Sequence, residues 1–264
     1  MKKRKANILK LLAFILLTSC GFSSGLYTDI LEAQDHMAKR EFPKAVEVYE
    51  SILQKKPSKN VAIKINFQLG EVYSIYLNNY DKGIYYFQKI VEDSNEPSWQ
   101  IRALEKLGNI YFNELKEYTK SEKLYQKLES FYPPLEKVNF YSFRKTLSKF
   151  HQKEYKIAIK EFDKIIDKKD ENYSIRSYFY IGLAYFYQKD YQTAITNWFE
   201  YLKRESRKDL IVETKFLIAN AYESSEKLKE AYNIYYSILG VYPNTEVIQS
   251  RLNSLYERRV ARKR

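Results

Sequence analysis

The sequence predicts an all-α chain of paired helices, and three observations carry that expectation. Turn punctuation is scarce: 264 residues hold only 7 Gly and 6 Pro, too few for the many tight turns of a sandwich or barrel. Small residues recur among bulky ones at helical spacing. The order is plainest as Tyr178-x2-Ile181-Gly182-x2-Tyr185, then Tyr191, then Ala194-x3-Trp198-x2-Tyr201. The same order also returns along most of the chain. A small residue lets two helices approach closely, and a bulky one fills the space beside the crossing.

The first 20 residues, MKKRKANILKLLAFILLTSC, set a basic start before an apolar run from Ile8 to Leu17 that only Lys10 interrupts. This layout predicts a secretory signal peptide over 1–19. The run is about half the ~20 residues a helix needs to cross a bilayer, so no permanent span is expected from it. Leu17-Thr18-Ser19-Cys20 resembles the bacterial lipobox, and Cys20 is the only cysteine in the chain. That resemblance implies cleavage before Cys20, a diacylglycerol thioether on its sulfur and acylation of the new N-terminus. Several acyl chains at ~0.8 kcal/mol per buried CH2 anchor a protein stably where one does not. Residues 20–26 then form a short tether, in which Gly21 to Gly25 reach under about 20 Å at ~3.3–3.6 Å per residue. Gly21 stands where an Asp would resemble the inner-membrane retention signal, which favours the outer membrane.

The units follow in order between Tyr27 and Pro243. Unit one has Ala33 and His36 in its first helix, Ala45-x3-Tyr49-x2-Ile52 in its second, and Pro57 to end it. Unit two carries Leu69-Gly70-x2-Tyr73 and Gly83-x3-Phe87-x2-Ile90. Unit three carries Leu104-x2-Leu107-Gly108-x2-Tyr111 and Ser121-x3-Tyr125-x2-Leu128, closing on Pro133-Pro134. In units two and three the step between the small residues is 13, against 12 in unit five. An extra residue in the turn between the helices, at Asn78-Asn79, accounts for it. Unit four has a clear second helix, Ala158-x3-Phe162-x2-Ile165. Its stretch from Val138 to His151, with Lys145 or Thr146 at the small position, is either a distorted first helix or a break between two sub-arrays. Unit six has Ile218-Ala219-x2-Tyr222 and Ala231-x3-Tyr235-x2-Ile238, ending at Pro243. Over 244–264, Thr245 caps a last helix with Val247, Ile248, Leu252, Leu255 and Tyr256 on one side. The basic tail from Arg258 to Arg264 is either a solvated end or a contact for anionic lipid or an acidic partner.

This order of residues resembles the tetratricopeptide repeat, a helix–turn–helix unit of about 34 residues. The resemblance implies a right-handed superhelix of about six such units over 27–243, closed by a C-terminal capping helix. It also implies a concave face lined by the first helix of each unit and suited to a protein partner. The residues it places on that face are Arg102, Lys106, Asn109 and Phe112 in unit three. In unit five they are Arg176, Phe179, Leu183 and Phe186, and in unit six Phe216 and Asn220. Amides can pair with a peptide backbone, cations with a carboxylate, and Phe with an apolar side chain.

Composition narrows the function further. Removing the leader takes five of 45 basic side chains and leaves 40 against 33 acidic ones, about +7 in place of +12. No nucleic-acid module accompanies that charge, so nucleic acid is not an expected partner. The chain holds two histidines, His36 and His151, without metal-ligand companions, and His36 is expected at the core or its rim. No GxxxxGK(S/T) loop or GxGxxG turn occurs, and the letters of a GxSxG elbow stand only at Gly21-Phe22-Ser23-Ser24-Gly25, within the short tether. The carboxylate pairs Glu161–Asp163 and Asp167–Asp170 read as helix-surface ion pairs. No catalytic or metal site, no cofactor and no small-molecule ligand is therefore expected. The expectation is a non-enzymatic scaffold anchored by lipid in the cell envelope and binding protein there. Its architecture resembles the lipoprotein of the outer-membrane β-barrel assembly machinery and the pilotin-type lipoproteins. The rival is a peptidoglycan-associated binding protein or an accessory of a wall-remodelling enzyme, which the 26 Tyr permit through sugar stacking.

Overall fold

The computed structural model describes residues 25–168 and 170–262, so the leader, Cys20 and the last two residues of the basic tail lie outside it. Thirteen helices follow one another, with no strand among the described residues. They are α1 over 25–38, α2 (Phe42–Gln54), α3 (Lys59–Glu71), α4 (Tyr80–Asp93), α5 (Pro97–Asn109), α6 (Tyr118–Glu129) and α7 (Val138–His151). Then come α8 (Tyr155–Asp167), α9 (Glu171–Tyr187), α10 (Tyr191–Leu202), α11 (Lys208–Ser224), α12 (Leu228–Ser237) and α13 (Thr245–Ala261). The stretch 138–151 is thus an unbroken helix. The chain divides between Lys116 and Glu117 into two compact units, with α1–α5 in the first and α6–α13 in the second. Within each, successive helices from α2 to α5 and from α6 to α13 pack on one another, and α1 joins α2 through Ala33, Val46 and Tyr49.

Close approach at the small residues holds the helix pairs within each unit together. Ala33, Ala45, Ser121, Ala158, Ala194, Ala219 and Ala231 are fully buried, and Thr146 is the small residue of α7. Two glycines show how tight the crossings are. A Cβ built on Gly182 would lie 2.4 Å from Trp198 Nε1, and one on Gly70 would lie 2.7 Å from the Phe87 ring. The Trp198 indole, itself fully buried, donates to the Phe179 carbonyl at 3.1 Å. Thr146 is accommodated because its hydroxyl returns to the Ser142 carbonyl at 2.8 Å within its own helix.

The turns between paired helices share one geometry. Arg40, Asn78, Lys116, Lys153, Lys189 and Glu226 all have φ between 51° and 65°. Each is followed by the residue that caps the second helix. The capping residue's N–H reaches back five residues to a carbonyl of the first helix, as in Glu41 to His36, Glu154 to Lys149, Asp190 to Tyr185 and Lys227 to Tyr222. This is a Schellman closure built on side-chain-bearing residues where Gly is usual. From the left-handed residue to the small residue of the second helix the step is five every time, as in Asn78 to Gly83 and Lys189 to Ala194.

The extra residue of units two and three is therefore not in the turn, contrary to the sequence expectation. It is taken up earlier, where α3 continues into a π-helical turn over Val72–Tyr76 and α5 into one over Ile110–Glu114. The Leu77 and Leu115 N–H groups bond five residues back, to Val72 and Ile110, and the Asn79 N–H reaches six back, to Tyr73. One residue is absorbed in each case before the left-handed turn residue is reached.

Aromatic residues at the start of the second helices clasp the following repeat. Phe42 stacks on Tyr76 at 4.2 Å, Tyr80 donates to Glu114 at 3.1 Å, Tyr118 stacks on His151 at 4.6 Å, and Tyr155 stacks on Tyr187 at 5.6 Å. In the second unit an ion-pair ladder adds to this. Lys145 of α7 reaches Glu129 of α6 at 2.7 Å and Glu161 of α8 at 3.6 Å, and Lys149 reaches Glu122 at 2.7 Å. Glu161 is thus turned inward, where a surface pair was expected. Asp163 has no ion-pair partner among the described residues, and partial desolvation, with the Asp167 charge beside it, raises its carboxyl above its ordinary value. His36 sits at a helix rim, its Nδ1 2.6 Å from Glu41.

At the C-terminal end Ile248, Leu252 and Leu255 of α13 bury against α11 and α12, while Glu246, Gln249, Ser250, Asn253, Ser254 and Glu257 face outward. A polar outer face is what a capping helix requires. Three details differ from the sequence reading. The cap is Asn244, whose Oδ1 accepts from the Val247 N–H, and not Thr245. Tyr256 is exposed. Arg258 is not a free tail residue, because it bridges Glu223 at 2.9 Å and Glu226 at 3.0 Å, and Arg262 joins Glu226.

Deleting Ile75, an exposed residue of the first π-helical turn, should give a regular α-helix and a folded protein. It should cost about the Phe42–Tyr76 stack, ~0.5–1.5 kcal/mol. Deleting Asn79 should cost more, since it removes a cap worth ~0.5–2 kcal/mol and shifts all of α4. Paired thermal melts check the order.

Acid should weaken the second unit. Burial pushes the Glu129 carboxyl up, but the Lys145 ammonium and Ser142 hydroxyl outweigh it and hold it below its ordinary value. Burial likewise raises Glu122, and Lys149 and Gln152 reverse it. Because both carboxyls are depressed, their stabilisation is fully present above the unfolded value of ~4.3 and is lost as pH falls through the folded values. Lys145→Gln should cost about 1–3 kcal/mol at neutral pH and should flatten this acid loss, as read by melts from pH 7 downward.

Candidate functional site

The first helices of successive repeats, α7, α9 and α11, line one face of the second unit and enclose a cleft of about 370 Å³. Its wall is aromatic. Phe143 of α7 meets Tyr173 at 5.4 Å and Tyr180 at 5.9 Å, and Phe179 of α9 meets Tyr201 at 5.3 Å. Helical spacing explains the arrangement, since Phe140, Phe143, Arg144 and Leu147 share a face of α7, as Tyr173, Arg176 and Tyr180 do on α9.

Three arginines meet at this cleft and differ in freedom. Arg207 is fixed, its guanidinium gripping Glu205 at 2.9 and 2.7 Å. Glu205 also accepts from the Ser206 and Arg207 backbone N–H groups at 3.0 Å and from the Tyr201 hydroxyl at 2.8 Å. The Arg207 fork holds the Glu205 carboxyl down at about 2, so Glu205 stays charged at any physiological pH. Arg144 leans on Tyr125, its Nε 3.2 Å from the hydroxyl. Arg176 is exposed and makes no hydrogen bond or ion pair among the described residues. One carboxylate, Glu213, shares the rim. The cleft therefore offers an apolar floor beneath a cationic rim.

The first unit repeats the plan, with α1, α3 and α5 lining a cleft of about 490 Å³ that includes Met37, Lys64, Phe67, Trp99 and Arg102. The Arg102 guanidinium is held 4.3 Å from the Phe67 ring centre and 4.4 Å from that of Trp99. Among the described residues no carboxylate lines it.

The residues expected at a partner face separate accordingly. Arg176 and Phe179 come together in the second-unit cleft, and Arg102 lies in that of the first. Lys106 stands beside Arg102's face but is paired with Glu71 at 2.7 Å. Asn109 is half-buried, and Phe112 is buried with only 7 % of its surface exposed. Leu183 and Phe186 pack around Trp198 inside repeat five. Phe216 stacks on Tyr242 at 4.7 Å, and the Asn220 amide oxygen accepts from the Tyr235 hydroxyl. The sequence reading missed Phe143, Arg144, Tyr201 and Arg207. The α7 pair carried a signal in the spacing Phe140-x2-Phe143-Arg144-x2-Leu147, masked by doubt over the helix itself. No group of three His, Cys, Asp or Glu side chains suited to a metal occurs among the described residues.

Comparisons fit this geometry. The tetratricopeptide-repeat family matches residues 102–134 and 176–204. No curated protein matches the sequence significantly. Among solved structures, the fold is similar to PilW, a widely conserved type IV pilus biogenesis factor. That match has 15% identity over 86% of this chain and 98% of that one, with a TM-score of 0.57. It is also similar to the apo form of RapI, at 12% identity over 89% of this chain and 72% of that one, TM-score 0.64. A third is the apo quorum sensor NprR from B. thuringiensis, at 16% identity over 88% and 68%, TM-score 0.57. At these identities the likeness is one of fold. The repeat matches and the shared fold together support a tetratricopeptide-repeat chain.

Proposed function

We propose that this chain is a non-enzymatic scaffold that holds a protein partner in the clefts of its first helices, and that a lipid on Cys20 ties it to the outer membrane. The observation that carries the binding role is the second-unit cleft, where an unpaired Arg176 stands over the aromatic wall of Phe143, Phe179 and Tyr180. Such a cleft fits a segment that presents a carboxylate beside an aromatic or aliphatic side chain. The rigid Tyr201–Glu205–Arg207 element lowers the ordering cost of binding, because its cation is already positioned.

Anchoring is supported by Leu17-Thr18-Ser19-Cys20 and by the short tether that leads into α1. No described helix is long and apolar enough to cross a membrane. Held at the surface, the clefts would meet membrane-bound partners at raised effective concentration. Assistance in assembling an outer-membrane complex is the role that joins these two properties.

Capture from detergent-solubilised membranes tests the cleft. The double substitution Arg176→Ala, Phe179→Ala should lose the partner by tenfold or more, and Arg176→Ala alone should weaken capture while melting like the wild type, since that exposed side chain has no partner to lose among the described residues. An unchanged partner set would reject the cleft as the binding site. In the same strains, incorporation of labelled fatty acid should vanish with Cys20→Ala, and an unlabelled wild-type chain would reject the anchor.

A further inference from the structure

Charge in the second unit is segregated across helices α6 and α8. Their carboxylates Glu122, Glu129 and Glu161 turn inward to the two lysines of α7. Glu129 and Glu161 converge on the same Lys145 ammonium, which places α6 and α8 on one side of α7. Their exposed faces carry more lysine than carboxylate. Lys123 and Lys127 on α6, with Lys156, Lys160 and Lys164 on α8, are all exposed and make no ion pair among the described residues. The three on α8 recur every fourth residue, so their ammonium groups follow one line of roughly 12 Å. Asp163 and Asp167 flank that line, leaving three net positive charges on the face. Ile157, three residues before Lys160 and seven before Lys164, lies beside that line with 47 % of its surface exposed.

We infer that this outer face of α6 and α8 docks on an anionic phospholipid surface. Unpaired lysines are drawn to phosphate headgroups, and their long stems let each ammonium reach a different lipid. An exposed isoleucine among them suits a bilayer interface, where it can leave water, better than a soluble polyanion, which offers it nothing. The inward pairing of the carboxylates also makes the face basic without a high net charge on the chain. This surface is separate from the clefts and does not require the Cys20 lipid.

Flotation of the full chain carrying Cys20→Ser tests it, with vesicles of mixed phosphatidylglycerol and phosphatidylcholine against vesicles of phosphatidylcholine alone. The leader is constant between variants, so the difference reports on the face. Lys156→Gln, Lys160→Gln, Lys164→Gln together should lower affinity for the anionic vesicles about a hundredfold, near fivefold per lysine. Melting should be unchanged, because these side chains have no partners to lose. Ile157→Ser should weaken binding as well, and high salt should abolish what the lysines contribute. Equal flotation of the triple variant would overturn the proposal. So would heparin binding that needs these lysines while anionic vesicles are ignored, since that would make the face a site for soluble polyanions. Cys20 is already substituted, so failure of the anchor reading would leave these outcomes unaffected.

Discussion

The close crossing of two helices at a small residue is the constraint on which this structure depends. At Gly182 there is no room for a methyl group beneath Trp198, and at Gly70 none beneath Phe87. Because the helices approach so nearly, the bulky side chain can fill the gap completely, and Trp198 and Phe87 lose all their exposed surface. Each such burial stabilises by about 1.5–3 kcal/mol, and it recurs along the chain. A fixed crossing also fixes which face of the first helix points away from its partner. That outer face carries Arg176 and Tyr180 in one unit and Arg102 in the other. Cleft and core are thus two sides of the same helix.

Much of this was legible because small and bulky residues leave an unambiguous pattern at helical spacing. Gly182, Ala194 and Trp198 marked repeat five without any other information. Turns were less legible. Their left-handed positions are filled by Arg40, Asn78, Lys116, Lys153, Lys189 and Glu226, where Gly would have announced them. The π-helical turns could be detected as a step of 13 but not located, since counting residues between two small positions cannot say where the extra one lies. Only the constant step of five after each left-handed residue places it in the first helix. Long-range pairs such as Lys145 with Glu129 and Glu161 were beyond reach, because they depend on which helices become neighbours.

The candidate site shows the same division. Arg176 and Phe179 follow from their place on a repeat, whereas Phe216, in the place of Phe179, is occupied by Tyr242, and Asn220, in the place of Leu183, is held by Tyr235. Repeat six differs because α13 follows it, and Tyr242 lies in the connection to that cap. Arg207 could not be foreseen, since it sits outside the helices of a repeat and is positioned by Glu205 and Tyr201. Electrostatic order is imposed at the level of the fold. Glu122, Glu129 and Glu161 turned toward α7 leave an excess of lysine on the outside, although Asp163 and Asp167 of α8 stay there too.

The central claim is that Gly182 is glycine because Trp198 occupies the space of its side chain. A double-mutant cycle on Gly182→Ala and Trp198→Leu measures this by denaturant unfolding. Alone, Gly182→Ala should destabilise by about 1–3 kcal/mol through overpacking, despite the ~1 kcal/mol that alanine adds in helix propensity. In the presence of Trp198→Leu the same change should become neutral or favourable, giving a coupling of about 1 kcal/mol or more. Strictly additive costs, or a Gly182→Ala protein as stable as the wild type, would contradict the account.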